Sequence, residues 1–372
     1  MANTVSIAAN RPEIWSKEVF RSAMDKLFFK QKNLMGTGDN VIVKEKTELK
    51  GKRGDTIDLM MVAKLSGDAI TGDNEAEGNE EAQNSYNETL LIDQARKPIR
   101  LTGLLDEQIN GYDMRVEAKA ALSSWMAEFL ERQIFLKLAG IGNVTLTDVD
   151  GNVVGTQCAW SNTPTLIAHA DTLAGYGSRY FCAEYTSGGA TGLAATDVMT
   201  PYLIDRMKSK MTQAKPIIKP LMIKGKEMYV MFVHPRQAFD LWRNPEFQQS
   251  MREAADRGSE NPIFTGALGI RNGVIIHEHP YVPFLDISVA GHNFTAAASG
   301  TDYAAVDAYR AIICGQNAAG FAQVNKVKWV EKSFDYENQT GFCISFMGGV
   351  DKLMFNSLEN GCMVLDTAAT AV

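Results

Sequence analysis

Between Ser66 and Glu88 the chain gives up almost every large apolar side chain, so any fold it adopts must carry this stretch outside its core. The segment holds Gly67, Gly72 and Gly78 together with Asp68, Asp73, Glu75, Glu77, Glu80, Glu81 and Glu88, and it contains no Lys or Arg. Such a segment cannot repay its ordering entropy by burial. On either side the apolar residues alternate: Val41, Val43, Ile57 and Leu59 before it, Leu90 and Ile92 and on to Leu101 after it. The pattern predicts an arm over 41–101. A hairpin would turn at Lys50-Gly51-Lys52-Arg53-Gly54-Asp55. The stem, Val41 to Leu65 with Leu90 to Leu101, should pair as strands, and the acidic tip should order only against a neighbour.

The remainder reads as a mixed α and β chain of 372 residues, 45% of them hydrophobic, which is ample for a core. Residues 1–10 are small and polar. Trp15, Val19, Ala23 and Leu27 recur at helical spacing and predict an amphipathic helix from Pro12 to Leu34. Asp113 is positioned to cap a helix to about Leu138, with Gly140 just past its end, a length of roughly 40 Å. The Gly-, Thr- and Ala-rich residues 143–196 read as an insertion, with a hairpin turn at Asp150-Gly151. Asp197 is expected to cap a helix running to about Ala214. Strands are expected at Met228 to Val233, Val274 to His277, Ala311 to Cys314 and Gly341 to Met347.

The net charge of −7 argues against a sequence-independent grip on nucleic acid, which needs clustered cations, and against an anionic membrane surface. No apolar run has the length of a signal segment or a membrane span, so no membrane role is expected. Cys158, Cys182, Cys314, Cys343 and Cys362 are odd in number and set among apolar or small residues, which predicts buried thiols.

Catalytic motifs are sparse. His277 and His279 lie two apart on an expected strand and would face one side, yet no spaced third ligand accompanies them. His234 follows an apolar strand, but no GxSxG nucleophile is present. The run Asp148, Asp150, Gly151 and Asn152 opens like a calcium loop and lacks its closing Glu. There is no GxxxxGK[ST] and no GxGxxG after a strand. The residues therefore lead to no enzyme, cofactor or metal; a soluble α+β metal-dependent enzyme using His234, His277 and His279 is the rival reading.

Four longer stretches are familiar in their order: MYVMFVHPRQAFDLWRNPEFQ (228–248), TGALGIRNGVIIHEHPYV (265–282), AYRAIICGQNAAGFA (308–322) and GFCISFMGGVDKLMFN (341–356). Together they resemble the major capsid proteins of tailed phages, closest to the phage N-four type. The resemblance runs from about Pro12 to Asn356 and is weakest over 143–196. It implies an α+β fold of the Hong Kong 97 type, divided into an N-terminal arm with its helix (1–40) and an extended loop (41–101). A peripheral domain (102–196, spine helix 113–139) and an axial domain (197–325) would follow, then return strands and a tail (326–372).

The resemblance also implies hexameric and pentameric capsomers in an icosahedral virion head, assembled in the host bacterial cytoplasm. Such a head encloses double-stranded DNA without reading its sequence, with portal, scaffold or decoration proteins as further partners. A nanocompartment shell of the same fold is the alternative within the structural class. The residues expected at contacts between copies are Lys44, Lys46, Lys50, Lys52 and Arg53 against Asp68, Asp73, Glu75, Glu77, Glu80 and Glu81. Arg96, Lys97 and Arg100 on the arm, and Trp15 and Phe20 on the N-terminal helix, complete the set.

Overall fold

The computed structural model describes residues 12–47, 54–62, 69–72, 74–75, 77–78, 80–81, 83, 85–103, 105, 108–109, 114–141, 143–147, 153–158, 179–183, 193–214, 216–223, 225–255, 268–285, 307–324, 327–336, 338–355 and 358–370. The Lys50–Arg53 turn, Asp68, Asp73, Asp113 and the turn at 148–152 lie outside these, as do the side chains of Trp15 and Cys158.

The N-terminal helix runs from Pro12 to Lys26 and buries Val19 and Ala23 on one face. It does not continue to Leu34 as expected. Leu27 is buried in extended backbone, and a one-turn helix, Phe28–Gln31, restarts beyond it. The break has a tertiary cause: the Phe28 amide donates to the Glu131 carboxylate at 2.6 Å, a partner that local periodicity cannot reveal.

Met114–Ala139 is the long helix, 26 residues or about 39 Å. Gly140, at φ +70°, ends it in the left-handed conformation. The Gly140 amide bonds to the Lys137 carbonyl and that of Ile141 to Leu136, the paired closure that satisfies the last carbonyls. Asn143–Thr147 then pairs with Val153–Cys158 as the expected hairpin.

Two sheets organise the rest. In the six-stranded sheet the 14-residue strand Gln339–Lys352 is central. Asp93–Arg100 lies along one side, and Lys328–Phe334 and Ala319–Gln323 along the other; Val43–Lys46 pairs parallel with Ala319–Gln323, and Met35–Gly36 with Val43–Lys46. This corrects the expected stem. Val43 does not pair across a short hairpin with Ile57; it is drawn into the core sheet, where Val43 is fully buried. The far end of the arm, to Arg100, likewise belongs to this sheet. The stem proper is Thr56–Val62 against Ser85–Leu91.

The eight-stranded sheet runs Gly269–Arg271, Val274–Glu278, Lys226–Val233, Ala308–Cys314, Cys362–Thr367 and Tyr180–Cys182, with Phe284–Leu285 and Leu221–Ile223 added at its margins. Every side chain of Ala308–Cys314 and Cys362–Thr367 is buried. Ile312, Cys314 and Val364 face the core shared with the long helix, while Ala311, Ile313 and Leu365 face the helix Pro201–Gln213. That is why these strands read as continuous apolar runs rather than alternating ones. Strands from 102–196 and from 326–372 thus meet in this sheet, whereas Ala319–Gln323 joins the six-stranded one.

Arg310 crosses the sheet's interior. Its guanidinium makes two 2.8 Å bonds to Asp366 and one of 3.0 Å to the Ala139 carbonyl, tying the sheet to the end of the long helix. The helix Pro201–Gln213 starts after Thr200, not Asp197. Asp197 instead accepts the Ala194 amide at 2.8 Å, because the preceding turn uses its carboxylate.

Candidate assembly surface

The arm is built upward from a small dock. Along Ser85–Leu91 side chains alternate, so Tyr86, Glu88 and Leu90 share a face. Leu90 is fully buried and, with Ile57 and Leu59, packs on Ala322 and Leu353 of the body. The approach is close. A Cβ added to Gly320 would lie 2.9 Å from Leu90 Cδ1 and 3.3 Å from Leu59 Cδ1, so any larger residue there must displace the methyls of the dock. Thr89 reinforces the hairpin by donating to Asp58 at 2.9 Å. On the opposite face Met60 is 73% exposed and Leu91 37%. A two-stranded hairpin with this little apolar cover is marginal alone.

Glu88 occupies the docked face beside Leu90. Burial and the nearby Asp351 carboxylate push its carboxyl up to about 7, against the opposing pull of Lys352. Beneath the dock charges are paired in the interior. Lys352 bonds Glu359 at 2.8 Å with both side chains fully buried, and Lys137 lies 4.0 Å from Asp351.

The residues expected at contacts are split by the fold. Lys44 pairs with Asp39, and Lys44 and Lys46 sit in the core sheet rather than on a projecting hairpin. Glu75, Glu77, Glu80 and Glu81 are exposed at the tip. Phe20 stacks on Phe346 of its own sheet with ring centroids 6.3 Å apart. Arg96 and Arg100 are exposed on one side of Asp93–Arg100. Lys97 alternates to the other side, over the Trp125 ring at 5.8 Å. Sequence reasoning missed Lys328 and Lys332, which the ladder sets on the same face as Arg96 and Arg100. Their signal was the alternation Lys328, Val330, Lys332 about the buried Trp329.

The histidines are engaged in packing. His234 caps the helix Pro235–Arg243: its Nδ1 accepts the Arg236 amide at 3.3 Å, and Gln237 reaches back to the His234 amide at 3.0 Å. Burial, then the Arg236 charge, push its pKa down to about 4. His277 and His279 do face one side, and there they flank Phe28, with centroids 5.6 and 5.0 Å away. His279 also stacks on Phe135 at 4.6 Å, and burial followed by the His277 charge lower its pKa to about 4. Among the described residues no three metal-ligating side chains converge. Cys182, Cys314 and Cys362 are buried free thiols and Cys343 a half-buried one; burial pushes Cys362 up to about 12.

Comparison with known proteins gives this geometry its context. A family model described as phage capsid protein matches residues 3–371. The major capsid protein of Pseudomonas phage KPP25 is 27% identical over 370 residues, spanning 96% of this chain and 94% of that protein. The capsid of Ralstonia phage GP4 superposes with a TM-score of 0.75 at 24% identity, covering 99% of both chains. The cyanophage Pam1 capsid gives 0.70 at 22% identity, covering 100% of both. These structural likenesses establish the fold, an α+β architecture of the Hong Kong 97 type.

Proposed function

The chain belongs to the phage capsid protein family and is a major capsid protein, and from that premise we propose how its parts build the shell. Copies close into hexamers and pentamers that tile the icosahedral head of a tailed phage around double-stranded DNA. The six-stranded sheet and the long helix act as the peripheral unit. The eight-stranded sheet, with the helices Pro201–Gln213, Pro235–Arg243 and Pro245–Ala255, acts as the axial one. The arm lies over an adjacent subunit. Portal, scaffold or decoration proteins are the further partners, and assembly takes place in the host cytoplasm before the protein resides in the virion.

One observation carries this reading. Among the described residues the hairpin Thr56–Val62 with Ser85–Leu91 is held to its own body by three buried side chains, Ile57, Leu59 and Leu90, with Tyr86 half-buried beside them, and it presents Met60 and Leu91 outward. Apolar exposure on a projecting hairpin that its own chain barely supports suits a segment finished by a neighbour. The net charge of −7 suits a wall that encloses DNA without gripping it. Electron micrographs of the purified protein, taken across assembly conditions, test the reading. Closed shells are expected; small oligomers under every condition would reject it.

A further inference from the structure

The six-stranded sheet has one covered face and one open face. The helices Pro12–Lys26 and Met114–Ala139 pack on the face that carries Ala95, Ile99, Trp329, Phe342, Ile344 and Phe346. Residues directly opposite across a ladder share a face. Arg96 and Arg100 stand across from Ser345 and Gly341, which stand across from Lys328 and Lys332. All four cations therefore project from the open face, and all four are exposed.

The acids of the same strands lie elsewhere. Glu331 alternates to the covered side, where it accepts from Arg115 at 2.6 Å and from Trp329 at 2.8 Å. Asp93 alternates with Ala95 to that side, and Asp335 lies in the turn beyond Phe334. In a chain of net charge −7, four cations on one sheet face are a local inversion.

The chain covers only part of this open face itself. Gly320 stands across from Asp351 and Ala322 from Gly349, in the same alternation as Ser345 and Gly341, and this is where the arm's root docks. The tip beyond that root carries Asp68, Asp73, Glu75, Glu77, Glu80 and Glu81 with no Lys or Arg between Ser66 and Glu88.

We propose that the basic half of the open face, built by Arg96, Arg100, Lys328 and Lys332, receives the acidic arm tip of a neighbouring copy. Each sheet face is then completed in two halves, one by its own arm root and one by the next subunit's tip. The inference rests on the shell reading and names the surface that the arm meets. Exposed ion pairs are individually weak and screened over about 8 Å at physiological salt, so the array supplies register and partner choice rather than bulk affinity.

A charge swap tests this. One variant carries R96E, R100E, K328E and K332E, a second carries E75K, E77K, E80K and E81K, and a third carries both sets. The assembled fraction is read by sedimentation and negative-stain microscopy, with circular dichroism to show that each subunit folds. Each set alone is expected to lower the assembled fraction by roughly tenfold, and the combination to restore it to within about twofold of wild type. If either set alone assembles like wild type, or if folded subunits carrying both sets do not recover, the proposal is overturned. Should the face variant assemble normally but enclose less DNA, the face contacts nucleic acid and the proposal is likewise overturned. If glutamates on the face prevent folding, the neutral set R96Q, R100Q, K328Q and K332Q is expected to lower assembly in the same direction, and no change would reject the idea. Wild-type shells alongside a failed swap would sink this inference while leaving the shell reading intact.

Discussion

In the eight-stranded sheet all seven side chains of Ala308–Cys314 and all six of Cys362–Thr367 are buried. In the six-stranded sheet the strand Lys328–Phe334 buries Trp329 alone, and Asp93–Arg100 buries none of its side chains fully. The two central strands of the first sheet are enclosed by their own chain on both faces, so they are largely apolar, and Arg310 is accommodated there because Asp366 and a helix-end carbonyl meet it. The second is covered on one face, and its other face carries charge, a glycine and a hairpin that barely holds on. A capsid subunit needs both kinds of surface: one that folds before assembly, and one whose last contacts exist only in the shell.

The largest expected difference between the two sheets is in subunit stability. Arg310→Met leaves the Asp366 carboxylate buried without its cation and should cost about 3–5 kcal/mol. The denaturant midpoint of the unassembled subunit, at unchanged slope, measures it. A loss below about 1 kcal/mol would mean that this interior is less closed than its burial implies.

A smaller effect is expected at the dock. Gly320→Leu places a side chain where a Cβ alone would meet Leu90 at 2.9 Å, and overpacking of this kind costs about 1–3 kcal/mol. Because the arm's root is what yields, the variant should fold and yet fail to assemble. Normal shells from Gly320→Leu would show that the dock is dispensable.

The smallest effect is a pH dependence at Glu88. Its folded pKa of about 7 lies above the ordinary 4.5, so between those values the docked arm holds a proton that the undocked arm has released. Docking is therefore tightest below pH 4.5 and weakens as pH rises through 7. Glu88→Gln removes the titration, so its melting temperature should rise relative to wild type from pH 5 to about pH 7 and level off above it. A difference that stays flat across that range would contradict the placement of Glu88 against Asp351.

Much of this was legible in the sequence, for reasons that differ by region. The long helix announced its end, because Gly140 supplies the left-handed residue that closes it, but not its face, since Val116 is exposed while Ala118, Leu122 and Met126 are buried. The apolar cores of two strands, Met228 to Val233 and Ala311 to Cys314, were legible as continuous apolar runs, although the strands begin earlier, at Lys226 and Ala308. The resemblance to tailed-phage capsid proteins supplied the fold, and the family match bears it out. What failed was long-range pairing. Val43 and Ile57 alternate alike, but nothing local says that one joins Ala319–Gln323 across the chain while the other pairs with Leu90. Leu27 could not be seen to break a helix whose interruption is set by Glu131, about a hundred residues on. The acids of the tip were evident from composition; the cations proposed to meet them were not. A charged face is assembled from strands far apart in sequence, and neither Lys328 nor Lys332 shows beside Arg96 until the ladder is drawn.

If the arm is finished half by its own chain and half by a neighbour, as proposed, amide hydrogen exchange on unassembled subunits and on intact shells will separate the two halves. Residues 56–62 and 85–91 should be protected in both states, since their ladder and their dock are internal. Residues 69–81 should gain protection only in the shell. Equal protection of 69–81 in both states, high or low, would mean that no neighbour orders the tip.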